Sequence, residues 1–536
     1  MPWVRTLLFG AGLGILGVSA GPRPPAEGQQ AGPPAPTFRI TSNLVFLDVT
    51  VLDKKGRPVV TGLTKDDFAI FENGKPQRIF SFDAPAEGAK TEANAPATIL
   101  VLDLLNTPSK DFAFARDSIR RYLALQPERL ISATELMVLN NTSLDMVHAY
   151  TRSRTELMYA VEHVPWAVPY KLGTMQFGSQ DWLDERLSQS IEALQQIALQ
   201  NKGLPGRKNI LWIGNGGPSI PMNPADPRYE KSMRFYAHGT TNMLVDARIS
   251  LFLIDPKGVI GAQNPDYLRL GGHHLWDTTE EIAGDPFAGS INFGMLVHDT
   301  GGVFFHDRND VDAEMHAAQE LGSDYYTLTY QPPVAPADGK FRQIQVHLRD
   351  PNLHAMTKTG YYAPEPLTAA DPTPQWVNAM DEISEAAQSN VAFDSLGVSI
   401  VQVVRHPDHN TADVTVLLKS THLRWQSTDG GSSGANVTVA ALSLSKSRDI
   451  VGSRLERLVV LSNSQDAARL AQSNTLVTVT VPMPHRTDTV RVVIQADDGG
   501  QIGTAELDHK TLLMATESPT PAPHLVPRPK PVTMVP

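Results

Sequence analysis

Cysteine is absent from all 536 residues. That excludes disulfides, thiolate zinc sites, a cysteine nucleophile and the cysteine-linked lipid of bacterial lipoproteins. Long apolar runs are missing too. The run at residues 7–18 is broken by glycines and falls well short of the roughly 20 residues that cross a bilayer, and no later stretch is apolar enough for a transmembrane segment. Positive charge is outweighed: 46 Lys and Arg stand against 57 Asp and Glu, for a net charge of −11. With no basic stripe interleaved with aromatics, nucleic acid is excluded as an expected partner. Catalytic signatures are equally scarce. There is no Gly-x-Ser-x-Gly elbow between a strand and a helix, and no His-Glu-x-x-His spacing for zinc. "GNGGPS" lacks the Gly-Lys-Ser/Thr ending of a phosphate loop, and "LGGHHL" lacks the context of a dinucleotide fingerprint. His273, His274, His298, His306 and His316 read as solvated loop histidines rather than a metal set.

What is present begins with an export pattern. Arg5 supplies a positive start, residues 7–18 an apolar run, and Val18-Ser19-Ala20 the small residues that a signal peptidase tolerates. The expectation is a signal peptide over 1–20 and an exported protein, periplasmic or secreted, with a Pro-rich linker at 21–37. Alternating stretches from Phe38, with Asn73-Gly74 as a hairpin turn, predict a small β module over 38–90.

Between 98 and 330, short apolar strands such as "TILVLD", "KNILWIG" and "ISLFLID" alternate with amphipathic helical patterns. The pattern predicts a doubly wound, mainly parallel α/β sheet covered on both faces. Period-two runs over 391–512 predict an independent β-sandwich. A helical linker (366–390) precedes it, and a Pro-rich, disordered tail (513–536) follows. In doubly wound folds ligands bind beyond the carboxyl ends of the strands, where "LVLDLLNT" places Asp103, Asn106 and Thr107.

Taken together, "VTVLDKKGRPVVTGLTKDDFAIFENGKPQRIFSFD", "LVLDLLNT", "GRKNILWIGNGGPS", "DTGGVFFH" and "GYYAPEP" resemble the exported bacterial proteins related to von Willebrand factor type A, known mostly from acidobacterial genomes. The resemblance implies an A-type domain over 96–365. Such domains hold Mg²⁺ or Mn²⁺ in an adhesion site: an Asp-x-Ser-x-Ser loop, a threonine from a second loop and an aspartate after a later strand. Here Asp103 matches the acidic position and Thr107 the second serine. Leu105 stands where the first serine belongs, Asn215 where the later aspartate belongs, and Thr174 is the nearest second-loop threonine.

One hydroxyl and one carboxylate are lost, so the resemblance implies a degenerate metal site of Asp103, Thr107 and Asn215 that binds Mg²⁺ weakly or not at all. Three readings of Asp103 stay open: a carboxylate that orders its own loop, a weakened metal site, or a pocket for phosphate or another ligand. Trp212 reads as core packing. The expected function is non-catalytic protein–protein interaction or adhesion at the cell envelope or outside it, through the loop rim of the A-type domain. The alternatives are an envelope scaffold with a purely structural A-type domain, or an extracellular enzyme, for which no catalytic set is found.

Overall fold

The architecture is given by a computed structural model, which describes residues 44–85, 95–164, 180–217, 220–221, 227–257, 290–291, 293–306, 309–333, 338–363, 375–427, 433–462, 469, 474–497 and 500–517. The signal peptide, the 21–37 linker, Thr174, His273, His274 and residues 518–536 lie outside them.

The alternating stretches near the start form β1 (Val45–Leu52), β2 (Phe68–Glu72), β3 (Lys75–Gln77) and β4 (Ile79–Asp83). Asn73 and Gly74 take φ of 48° and 73°, the two positive values that a tight hairpin turn needs, and they join β2 to β3.

Next come β5 (Ala97–Asp103), α1 (Ser109–Ala124), β6 (Arg129–Leu139), β7 (Leu144–Ser153), α2 (Arg154–His163), α3 (Gln180–Gln200) and β8 (Lys208–Ile213). The alternation continues through β9 (Ile220–Pro221), α4 (Pro227–Asp246), β10 (Ile249–Ile254), β11 (Ser290–Ile291), α5 (Phe293–Asp299), β12 (Phe304–Phe305) and α6 (Val311–Ser323). Six strands make one sheet in the order β12-β10-β8-β5-β6-β7. All neighbours run parallel except β7, which closes the edge antiparallel to β6.

Every residue of β8 and β10 is buried, as their mostly apolar sequences require when helices cover both faces. On one face Ile99, Val101, Ile210, Trp212 and Leu251 pack under α3, α4 and α5. On the other, Leu100, Leu102, Leu211, Ile213 and Phe252 pack under α1, α2 and α6. The fold is therefore α/β, with a mixed, mainly parallel sheet.

The structure differs from the sequence reading in the small β module. Strands β13 (Tyr326–Tyr330), β14 (Phe341–Leu348), β15 (His354–Met356) and β16 (Gly360–Tyr362), expected to end the 96–365 domain, return to β1–β4. Two four-stranded sheets result, ordered β15-β1-β13-β4 and β16-β14-β2-β3. Leu47, Val49 and Ile70 share one core with Tyr326, Leu328 and Ile344. Alternation reveals a strand but not its partner, so residues 38–90 alone could not disclose that all but one of the pairings of β1–β4 are with strands beyond residue 325.

This module is tied to the amino end of the parallel sheet by buried charge. Arg248 Nε donates to Asp48 Oδ2 at 3.0 Å. Arg207, only 1% exposed, donates to Thr50 Oγ1 at 2.9 Å and to Ser250 Oγ at 3.0 Å.

After α7 (Gln375–Gln388) come β17 (Val398–His406), β18 (Thr411–Lys419), β19 (Gln426–Ser427), β20 (Ser433–Leu444), β21 (Ile450–Ser462), β22 (Asn474–Pro482), β23 (Thr489–Ala496) and β24 (Ile502–Leu507). Helix α8 (His509–Leu513) and β25 (Thr516–Glu517) end the described chain. Two sheets, β22-β18-β17-β25 and one built on β20, β21, β23 and β24, enclose a core of Val414, Val416, Val437, Val439, Val479 and Val492. Contrary to a tail starting at 513, β25 pairs with β17 and Leu512 sits in that core.

The opposite face of this second sheet is also apolar. Ala440, Leu442, Leu444, Val493 and Ile502 belong to the same cluster as α3, with Ile383 and Ala386 of α7 between them. Glu382 of α7 accepts from Lys202 Nζ at 2.7 Å and from Gln495 Nε2 at 2.6 Å, linking α3 to β23.

Candidate functional site

The carboxyl end of β5 delivers Asp103 to the tip of the sheet, where it is completely buried. Its neighbours split between the two cores: Leu104 joins the α1 face and Leu105 the α3 face. Leu105 lies among packed side chains on the face that also holds Trp212 and Leu187. Asn106 then folds back on Asp103. Its backbone N–H donates to Asp103 Oδ1 at 2.8 Å, and its side-chain Nδ2 lies 3.2 Å from Oδ1 and 3.0 Å from Oδ2.

Trp212 supplies the third donor, its indole Nε1 lying 3.0 Å from Asp103 Oδ2. The register explains the reach. Trp212 is paired with Val101 across the parallel β5–β8 ladder, and Val101 and Asp103 point to one face because strand side chains alternate. A large side chain can span that diagonal. Phe293 of α5 tilts against the Trp212 ring at 4.7 Å.

Around this centre most of the remaining polar atoms are committed. Asn106 Nδ2 donates to Ser190 Oγ of α3 at 2.9 Å, and Arg186 Nε donates to Asn106 Oδ1 at 3.2 Å. The Arg186 guanidinium also lies over the Trp182 ring, 4.4 Å from its centroid. After β8, Asn215 N–H donates to Thr107 Oγ1 at 3.3 Å and Asn215 Nδ2 to the Asn106 carbonyl at 2.9 Å. Asn215 Oδ1 is buried and has no hydrogen-bond partner among the described residues. Gly214 makes this closure possible. It takes φ of +154°, and a β-carbon there would lie 2.5 Å from Asp103 Cβ and 2.6 Å from Thr107 Oγ1.

Burial raises the Asp103 pKa above the ordinary carboxylate value, against the hydrogen bonds from Asn106 and Trp212 and the charge of Arg186. The arrangement satisfies a buried carboxylate internally, through amide and indole donors. Asp103, Thr107 and Asn215 are thus brought together at one point, with Leu105 turned away from it. Asn106 and Trp212 hold the centre, and Ser190, Arg186 and Gly214 support it. No sequence motif marks Arg186 or Ser190, and the contacts of all five depend on register and on the approach of α3.

Elsewhere, His316 Nδ1 lies 3.3 Å from Gln126 Nε2, His306 stacks near Phe304, and His298 Nδ1 lies 3.6 Å from Asp299 Oδ1. No group of three or more metal-ligating residues occurs among the described residues. Residues 430–434 spell Gly-x-Ser-x-Gly, but in sequence they fall between β19 and the start of β20, two strands that pair antiparallel, and no helix follows directly. No helix among the described residues is long and apolar enough to cross a membrane.

No protein-family model matches the chain, and no curated protein matches it in sequence. Solved structures do match in part. The Rpn10 VWA domain is 14% identical, covering 30% of this chain and 89% of its own, with a TM-score of 0.17. The N-terminal domain of the TFIIH subunit p34 is 12% identical, covering 34% of this chain and 97% of its own, with a TM-score of 0.18. Human COPII-coat protein Sec24c is 9% identical, with 55% of this chain and 50% of its own covered and a TM-score of 0.23. At such values none of them transfers an activity or a partner to this chain.

Proposed function

We propose that the chain is an exported, non-catalytic binding protein of the von Willebrand factor type A-related kind, acting in the periplasm or outside the cell. Its contacts run through the loop rim beyond the carboxyl ends of the parallel strands. The reading is carried by one observation: Asp103, Asn106, Thr107 and Asn215 converge at that rim and bond to one another and to Trp212. A residue set engaged in this way suits a rigid platform for rim loops better than a reaction centre, which needs groups available to substrate. Export rests on the charged, apolar and small-residue pattern of residues 1–20.

A scaffold reading has support of its own. Leu461 and Leu476 in the C-terminal sandwich are 62% and 63% exposed, and Phe80 in the first β module is 69% exposed. Such side chains on β modules are candidate contacts. The two readings separate in a capture experiment on envelope extract with immobilised full-length protein. Arg186→Glu at the rim should abolish capture while Leu461→Glu leaves it intact, and EDTA should change nothing. Capture that survives Arg186→Glu and fails with Leu461→Glu would favour the scaffold.

A further inference from the structure

An A-type domain implies a divalent cation at this tip, and the donor set here does not fit one. A cation would need the outward lone pairs of Asp103, an oxygen in place of Leu105, a free hydroxyl from Thr107 and an oxygen after β8. Instead, three N–H groups already point at the Asp103 carboxylate: the backbone and side-chain amides of Asn106 and the indole of Trp212. Each presents its positive end to the carboxylate that a cation would need, and each would be left unpaired and buried if a cation displaced it. Thr107 Oγ1 already accepts from Asn215 N–H. Leu105 lies in the apolar core, so a serine there would put its hydroxyl among packed side chains. After β8, the acceptor left without a hydrogen-bond partner among the described residues is a neutral amide oxygen, Asn215 Oδ1.

We infer that the tip is a metal-excluding latch, in which the Trp212 indole N–H and the Asn106 amides occupy the positions around Asp103 that a divalent cation holds in a working adhesion site. The inference rests on the A-type reading and deepens it: any partner is met by a permanently closed site, independent of metal. Restoring the two residues absent from the adhesion motif does not reopen the site, because Trp212 remains in place.

The test uses the full chain, with Mn²⁺ as a spectroscopic probe and Mg²⁺ as competitor. The natural protein and the Leu105→Ser/Asn215→Asp variant are both expected to show no saturable Mn²⁺ binding that depends on Asp103, with Asp103→Asn as the control. The ¹⁵N-indole resonance of Trp212, identified as the one lost in Trp212→Phe, is expected to stay put between Mg²⁺ and EDTA and to exchange slowly with solvent. Should Trp212→Phe not fold, the resonance shifted by Asp103→Asn identifies it. Saturable Mn²⁺ binding abolished by Asp103→Asn, or a Mg²⁺-dependent shift of that resonance, overturns the latch. Neither outcome bears on the rim-binding reading, which fails only in the capture experiment.

Discussion

The side chain that decides the character of the tip is Trp212. Its ring is core and its Nε1 is the partner of a buried carboxylate. Removing that N–H while keeping an aromatic ring leaves Asp103 Oδ2 with only the Asn106 amide. Trp212→Phe is therefore expected to destabilise the protein by about 1–3 kcal/mol, the cost of an unsatisfied buried acceptor plus a small cavity. Thermal unfolding followed by circular dichroism measures it. A melting temperature equal to that of the natural protein would mean that the indole bond contributes nothing. Gly214→Ala should cost more than 2 kcal/mol by the same measurement. Its φ of +154° is strained for any residue with a β-carbon, and the added atom meets Asp103 and Thr107. Retained stability in Gly214→Ala would show that the backbone there relaxes freely.

Among the elements, β6 holds a buried titratable group against α3. Glu135 of β6 is completely buried and accepts from Gln200 Nε2 of α3 at 3.1 Å. Burial pushes its pKa up from 4.5 to about 8, opposed by hydrogen bonds from Gln200 and Tyr150 and assisted by the charge of Asp394. Because the folded-state value lies above the unfolded one, the folded protein holds this proton more tightly. The contribution of this group is fully present below about pH 4.5 and is lost progressively as the pH rises towards 8. Glu385 of α7, raised to about 7 by burial and then by Glu192 and Glu382, adds a loss of the same sign. At about 1.4 kcal/mol per pH unit, the Glu135 contribution has a ceiling on the order of 5 kcal/mol. Glu135→Gln should leave stability unchanged near pH 4.5 and raise it by a few kcal/mol above pH 8, as read by urea unfolding at each pH. A pH profile parallel to that of the natural protein would remove Glu135 from this account.

For the molecule as a whole, what matters is that no β part buries all of its apolar surface alone. The sandwich places Ala440, Leu442, Leu444, Val493 and Ile502 against α3 and α7, so a fragment of residues 391–517 exposes a continuous apolar face. That fragment is expected to keep its β signature but to self-associate and bind a hydrophobic dye, whereas the full chain does neither. A monomeric, dye-silent fragment in light scattering would mean that the face is dispensable. Likewise, residues 43–90 expressed alone should be unfolded. They should gain structure only when supplied with the chain that carries β13–β16, because β1 pairs with β13 and β15, and β2 with β14. Dispersed amide resonances from the short fragment would contradict this.

Much of the secondary structure was legible in the sequence because it follows from local patterning. The unbroken apolar runs at 99–102, 210–213 and 251–254 fit strands buried on both faces, and the helical stretches between them carry the expected periodicity. The Asn73-Gly74 turn was readable for the same reason, since few dipeptides tolerate two positive φ angles. The position of Asp103 at a strand end, and the absence of a hydroxyl at Leu105, also follow from order along the chain. What lay beyond local pattern was every choice of partner. Strands β13–β16 read equally well as the end of the parallel domain, because alternation carries no address. Trp212 read as core, and its ring is; that its N–H meets Asp103 depends on the register of two parallel strands more than a hundred residues apart. The sequence by itself determined that the expected metal ligands were incomplete, whereas only the tertiary structure decided what took their place, since a buried carboxylate must find its donors in space rather than along the chain.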